Sequence, residues 1–188
     1  MSRADGNFDP IEAVRAFLEE ARCDSQIKRT EATIFTVSDA SAAVGAPEEE
    51  ILKSILLRVN HGKSYALALM SGVNKVDTKK VKRALGASHV SFAGAEECEE
   101  WSGFRPGGVP PVGYPEQPQT LLDEDLFNYG TVWAAAGTDH AFFPGRARRA
   151  ASHNGRHEGR HQESLARAAT GKAAAPLESR RAPRALSS

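Results

Sequence analysis

Apolar residues at positions 11, 14, 18 and 21, with Phe17 beside them, recur at the spacing of one helical face. Ahead of them, Asp9-Pro10-Ile11-Glu12 offers a capping acid, a proline at the first helical position and a glutamate three residues after the cap. A helix over 10–22 is therefore predicted. Thr36 can cap a second, short helix whose Val37, Ala40 and Val44 face one way and which Gly45 stops. Pro47 followed by Glu48, Glu49 and Glu50 suits one further helical turn. The period then changes. From Lys53, the run Ile55-Leu56-Leu57 with Val59, the turn at 60–63 and the continuous apolar run at 65–70 predict a β-hairpin with buried strands. Asp77 caps a helix carrying Val81, Ala84 and Leu85, which Gly86 ends. Residues 90–93 read as a short strand and 96–102 as a helix leading into a Gly/Pro-rich loop over 103–118. Strands follow at 120–122 and 131–136, with a helical turn over 123–128 between them. Helices and strands alternate without a regular β-α-β repeat, so the predicted class is α+β with a mixed sheet.

Charge divides the chain. The 188 residues carry 24 Lys plus Arg against 24 Asp plus Glu. Beyond position 144, however, nine Arg and one Lys face only three acids, giving +7 there and −7 for residues 1–144. Leu165, Leu177 and Leu186 are the only large apolar side chains of that segment, too few to offset the entropy of ordering it. The expected organisation is a domain over 8–144 and a basic, low-complexity tail over 145–188. No stretch approaches the roughly 20 apolar residues of a membrane helix, and the start lacks the order of a secretion signal. A soluble cytoplasmic protein with no membrane partner is expected. Cys23 and Cys98 stand in no paired or His-flanked spacing and read as reduced thiols.

Three features stand out as sources of chemistry. The loop 103–113 holds Gly103, Gly107, Gly108 and Gly113 among Pro106, Pro110 and Pro111. Glycines allow close approach of backbone amides, prolines stiffen their aim, and rigid amide donors suit a phosphate or a developing oxyanion; a structural turn is the equal alternative. It is neither a Walker loop nor a dinucleotide fingerprint. Lys53 opens an apolar strand, where a charge needs a reason: it either binds an oxygen ligand in a cleft or snorkels from the strand end. Lys75, Lys79, Lys80, Lys82 and Arg83 form a basic cluster that suits nucleic-acid phosphates or a solvated helix face. No Ser/His/Asp arrangement assembles from His61, His89 and His140. His153, His157 and His161 recur every four residues, but Gly155 and Gly159 oppose the helix that would align them on a metal. No metal and no cofactor are expected.

Together these residues resemble the YbaK/aminoacyl-tRNA-editing family, which includes Cys-tRNA(Pro) deacylase and the editing insertion of prolyl-tRNA synthetase. The matching landmarks are Thr36-Val37 with Ala40 and Gly45; Ile51-Leu52-Lys53-Ser54; Gly72 with Val76-Asp77-Thr78-Lys79-Lys80; Ser102-Gly103-Phe104; the run from Gly107 to Gly113; Leu121-Leu122-Asp123; and Ala136-Gly137. The resemblance implies a mixed, barrel-like sheet flanked by helices, and hydrolysis of the ester joining a wrong amino acid to tRNA. It makes Lys53 the catalytic residue. Gly107 and Pro111 match the family's GxxxP loop, which makes Gly103, Gly107, Gly108, Val109, Pro111 and Gly113, with Ser54, Asp123 and Gly137, substrate-binding. Lys75, Lys79, Lys82 and Arg83 become contacts to tRNA.

Cysteine, alanine, serine and threonine are all open as the amino acid, tRNA(Pro) is the commonest carrier in the family, and the partners implied are aminoacyl-tRNA and an aminoacyl-tRNA synthetase, of which prolyl-tRNA synthetase is one example. The alternative is a tRNA- or partner-binding module that kept the fold without hydrolysis. After Phe143-Pro144 the chain departs from the family, whose members continue with another helix and an apolar strand. A basic segment that grips RNA, a sequence read in another frame and an extension without function remain open, with the second favoured.

Overall fold

The carboxylate of Asp9 accepts from the amides of Ile11 (2.9 Å) and Glu12 (3.2 Å), satisfying first-turn donors of helix α1, Pro10–Glu20. Glu12 pairs with Arg15. The helix stops two residues short of the expected end because Arg22 turns to a φ of +51°. The computed structural model describes residues 8–147. The histidine repeat and nearly all of the basic segment lie outside the described residues.

Helix α2, Val37–Val44, begins with a reciprocal cap: Thr36 Oγ1 accepts from Asp39 N (3.1 Å), and Asp39 Oδ2 accepts from Thr36 N (2.9 Å) and Phe35 N (3.2 Å). These bonds hold the Asp39 carboxyl below its ordinary value, the Thr36 side-chain bond foremost. Because the folded-state pKa is depressed, the cap's contribution is present above the unfolded pKa and disappears as pH falls through the folded one. Asp39→Ala should therefore lower the urea midpoint at neutral pH, and its difference from the parent should close in acid.

The strands are β1 (Lys28–Arg29), β2 (Ile51–Val59), β3 (Ser64–Ser71), β4 (Val90–Phe92), β5 (Gln119–Leu122), β6 (Val132–Ala135) and β7 (Ala141–Gly145), with helices α3 (Thr78–Ala84) and α4 (Ala95–Ser102) between them. They form one sheet in the order β1-β7-β6-β2-β3-β5, with β4 pairing the C-terminal half of β2. The pairs β2–β6 and β3–β5 are parallel and the others antiparallel, so the sheet is mixed and the class is α+β, as expected. The β2–β3 hairpin closes over Asn60–Gly62 where the sequence places a turn.

Both faces of the sheet are covered. Leu52, Leu56, Leu67, Leu69 and Ala134 meet Ile11, Val14 and Leu18 of α1 and the loop residues Phe104, Val109 and Val112 in the main core. Ile51, Ala135 and Phe142 pack on the other face with Ile34 and with Ala40 and Val44 of α2. Strands buried on two faces read as continuous apolar runs, which is why 65–70 shows no alternation.

Two strands were not expected. β1 has two charged residues and no pattern. β7 contains Pro144, which ordinarily argues against a strand; here β1 pairs only with Ala141 and Phe142, so the side of Pro144 away from β6 needs no donor. The chain stays packed to Ala147, which is buried.

Candidate functional site

Lys53 is the second residue after the start of β2 at Ile51, paired across the hairpin with Met70. Its ammonium donates to the carbonyl of Asn74 at 2.6 Å. Among the described residues it forms no ion pair. Burial pulls its pKa down from the usual lysine value; the negative charge of Asp123 opposes that shift and Lys75 adds to it. A depressed lysine pKa means that the unfolded chain binds the proton more tightly. The charged group therefore opposes folding at neutral pH, and stability should recover as pH rises from the folded toward the unfolded pKa. A half-buried cation that opposes folding and has no ion pair among the described residues is a candidate for binding an oxygen ligand.

Asp123 follows β5, one residue beyond the Leu69–Leu122 pair, and its amide donates to Leu69 O at 2.8 Å. Its carboxylate accepts from Ser71 N (3.1 Å), Asn74 Nδ2 (2.8 Å) and Asp125 N (3.2 Å). Strands β2, β3 and β5 thus set Lys53, Met70 and Asp123 side by side. Asn74, which touches both Lys53 and Asp123, is the residue that sequence reasoning missed. No spacing signals it, because its partners lie 21 and 49 positions away.

The Gly/Pro loop forms a second group. Gly108 is buried, and a Cβ there would lie 2.6 Å from Thr138 Cα and 2.9 Å from Gly137 O. Gly137 has φ of +94°, and a Cβ on it would come within 2.4 Å of Pro10 O. The loop and the turn after β6 therefore meet backbone to backbone, at a distance only glycine permits. Val109, Pro110, Pro111 and Val112 are buried, and Tyr114 Oη and Gln117 Nε2 donate to the carbonyls of Pro110 (2.9 Å) and Pro111 (3.0 Å). The side chains of Val109 and Pro111 are thus committed to packing; Val109 keeps a backbone N–H for a ligand, whereas Pro111 has no N–H and its carbonyl is bonded to Gln117. Gly113 (φ +90°) lies against α1, where its Cβ would be 3.1 Å from Ala13 O. Gly103 (φ +78°) is the left-handed cap of α4, a role that already accounts for it.

The two groups meet through the sheet. Parallel pairing of Ile51 with Trp133 and Leu52 with Ala134 brings the start of β2 to the end of β6, just before Gly137 and its contact with Gly108. No hydrogen bond among the described residues joins Lys53 to the loop itself. Ser54 is on the other side: strand alternation turns it to the face of Leu52 and Leu56, where its hydroxyl is buried without a hydrogen-bond partner. The structure does not bring it to Lys53.

Lys75, Lys79, Lys82 and Arg83 are all exposed, the last three on α3, whose cap Asp77 accepts from Lys79 N (2.9 Å) and Lys80 N (3.1 Å). Neither cysteine is in a disulfide. Among the described residues no helix is long and apolar enough to cross a membrane.

Comparison with known proteins follows the same lines. The sequence profile of the aminoacyl-tRNA editing domain matches residues 31–149. The uncharacterized protein YwhH of Bacillus subtilis (strain 168) is 27% identical over 128 residues, covering 68% of this chain and 80% of YwhH. The proline–tRNA ligase of Bacillus licheniformis is 33% identical over 91 residues, covering 48% of this chain but 16% of the ligase. A crystal structure described as a candidate trans-editing enzyme for prolyl tRNA synthetase superposes with a TM-score of 0.67 at 35% identity, covering 75% of this chain and 88% of that one. The chain belongs to the aminoacyl-tRNA editing domain family.

Proposed function

We propose that residues 8–144 form a trans-editing deacylase that hydrolyses the ester between a small amino acid and the terminal adenosine of a mischarged tRNA. Cysteine, alanine, serine and threonine are the candidate amino acids. The carrier is tRNA(Pro), and prolyl-tRNA synthetase, acting in the same cytoplasm, is the enzyme whose errors are cleared. The observation that carries this reading is Lys53: a partly desolvated ammonium anchored on a neutral carbonyl, with no ion pair among the described residues, at the end of the sheet where the glycine loop packs.

Ester hydrolysis passes through a tetrahedral intermediate whose carbonyl oxygen gains negative charge. An ammonium and fixed backbone amides facing that oxygen stabilise it more than they stabilise the ground state. In this reading Lys53 supplies charge and the amides of Gly107 and Val109 in the loop from Gly107 to Gly113 supply donors, Gly108 N being bonded to Arg105 O and Pro110 and Pro111 having no N–H, with Asp123 and Gly137 holding their frame. The attacking water is helped by the substrate's own ribose hydroxyl, so no protein nucleophile is called for. A second, hydrolytic sieve has physical sense, since one methylene distinguishes amino acids by only ~1 to 3 kcal/mol in a synthetase pocket.

The basic residues Lys75, Lys79, Lys82 and Arg83 are assigned to tRNA phosphates. Reversing two of them, Lys79→Glu with Lys82→Glu, should raise KM and flatten its salt dependence while leaving kcat within about twofold. The function itself is tested by incubating the full chain with tRNA charged with cysteine, alanine, serine or threonine. Release from at least one is expected. Binding of tRNA without release from any would establish a non-catalytic module instead.

A further inference from the structure

Beyond β3 the chain makes a turn closed by Asn74 N donating to Ser71 O (3.0 Å). The turn is pinned at Gly72, where a Cβ would lie 2.1 Å from Glu48 O. That turn presents the Asn74 carbonyl to Lys53. The carboxamide of the same residue faces two carboxylates, with Nδ2 at 2.8 Å from Asp123 Oδ2 and 2.7 Å from Asp125 Oδ2. A primary amide has two N–H groups, so both are used, and only a nitrogen can face two anionic acceptors. The Asp123 carboxylate is also held by Ser71 N and Asp125 N. Its charge therefore reaches Lys53 through space and not through a direct bond.

An ammonium bonds a carboxylate more strongly than a neutral carbonyl. A carboxylate near enough to act on Lys53 through space, as Asp123 does, will pair with it unless something holds it back. We infer that Asn74 is the positioning residue of this site: its carbonyl anchors one N–H of Lys53, while its carboxamide restrains Asp123 from closing on the ammonium, leaving the remaining donors for a substrate oxygen. That this oxygen belongs to an aminoacyl ester rests on the proposed function; the restraint does not.

The influences on the charge of Lys53 are burial first, then Asp123 at the end of β5 and Lys75 after the turn; Asp125 meets only the Asn74 amide. Asn74→Asp removes both donors at constant shape and adds a third carboxylate. In the double variant Asn74→Ser with Asp123→Asn, no carboxylate remains at position 123 to close on the ammonium.

The test compares the full chain, the single variant and the double variant by two readouts. The first is acetylation of Lys53 by acetic anhydride at mildly alkaline pH, measured by mass spectrometry against exposed Lys63 in the same molecule. An ion pair keeps the ammonium protonated, so acetylation should slow about fivefold in the single variant and recover in the double. The second is turnover: kcat should fall about 100-fold with KM within about twofold in the single variant. Asn74→Ser, which lacks the bridging amide and adds no charge, should move both readouts the same way and serves if Asn74→Asp does not fold. Unchanged acetylation in a folded single variant, or no recovery of acetylation in the double, overturns the inference. Absence of deacylation in the parent chain would count against the proposed function alone, because the acetylation series still reads the restraint.

Discussion

Lys53→Ala is expected to lower deacylation about 10²- to 10³-fold while the urea midpoint stays level or rises. The two halves of this result have one cause. At rest the ammonium is partly desolvated, bonded to a single neutral carbonyl and without an ion pair among the described residues, so its charge opposes folding. In the proposed mechanism the same charge meets a developing oxyanion in the transition state and is repaid there. Truncation removes a group that helps only when substrate is present. Turnover should be read with circular dichroism and urea unfolding on one preparation. Unchanged turnover would remove Lys53 from the chemistry, and a sharply lowered midpoint would make it a structural lysine.

Gly108→Ala is expected to cost ~1 to 3 kcal/mol of stability and, independently, about 100-fold in kcat. The added Cβ would sit 2.6 Å from Thr138 Cα and 2.8 Å from Thr138 C. Both are backbone atoms, so no rotamer change relieves the clash, and either the loop or the turn after Gly137 must move. Relief on the far side is limited. Val109 and Val112 are fixed in the main core, and the carbonyls of Pro110 and Pro111 are tied to Tyr114 and Gln117. The displacement therefore falls on the amides of Gly107 and Val109, the donors assigned to the oxyanion, since Gly108 N already donates to Arg105 O at 3.0 Å. Unfolding midpoints and single-turnover rates measured together check this, with a loss of stability and an intact rate as the outcome that would separate the loop from catalysis.

What the sequence made legible was local. The capping acids, the Thr36–Asp39 helix start, the hairpin and the glycine loop depend on residues within a few positions of one another. β7 was hidden because Pro144 argues against a strand until the short reach of β1 is known. Lys53 was visible as a charge in an apolar run, but its anchor was not, since Asn74 gains meaning only when β3 and β5 are paired and Asp123 arrives beside it. Ser54 was placed in the site by its neighbour in sequence; adjacent residues of a strand point to opposite faces, and the structure puts its hydroxyl in the main core's face. Gly103 entered by association with the loop and is accounted for as a helix cap.

The central claim is that this site hydrolyses aminoacyl esters on tRNA. It is tested most directly by single-turnover release of amino acid from tRNA(Pro) charged in turn with cysteine, alanine, serine and threonine. The full chain should be in excess, and tRNA binding should be measured on the same samples. The account predicts release of at least one amino acid, lost in Lys53→Ala at unchanged tRNA affinity. Saturating binding with every ester left intact would contradict it.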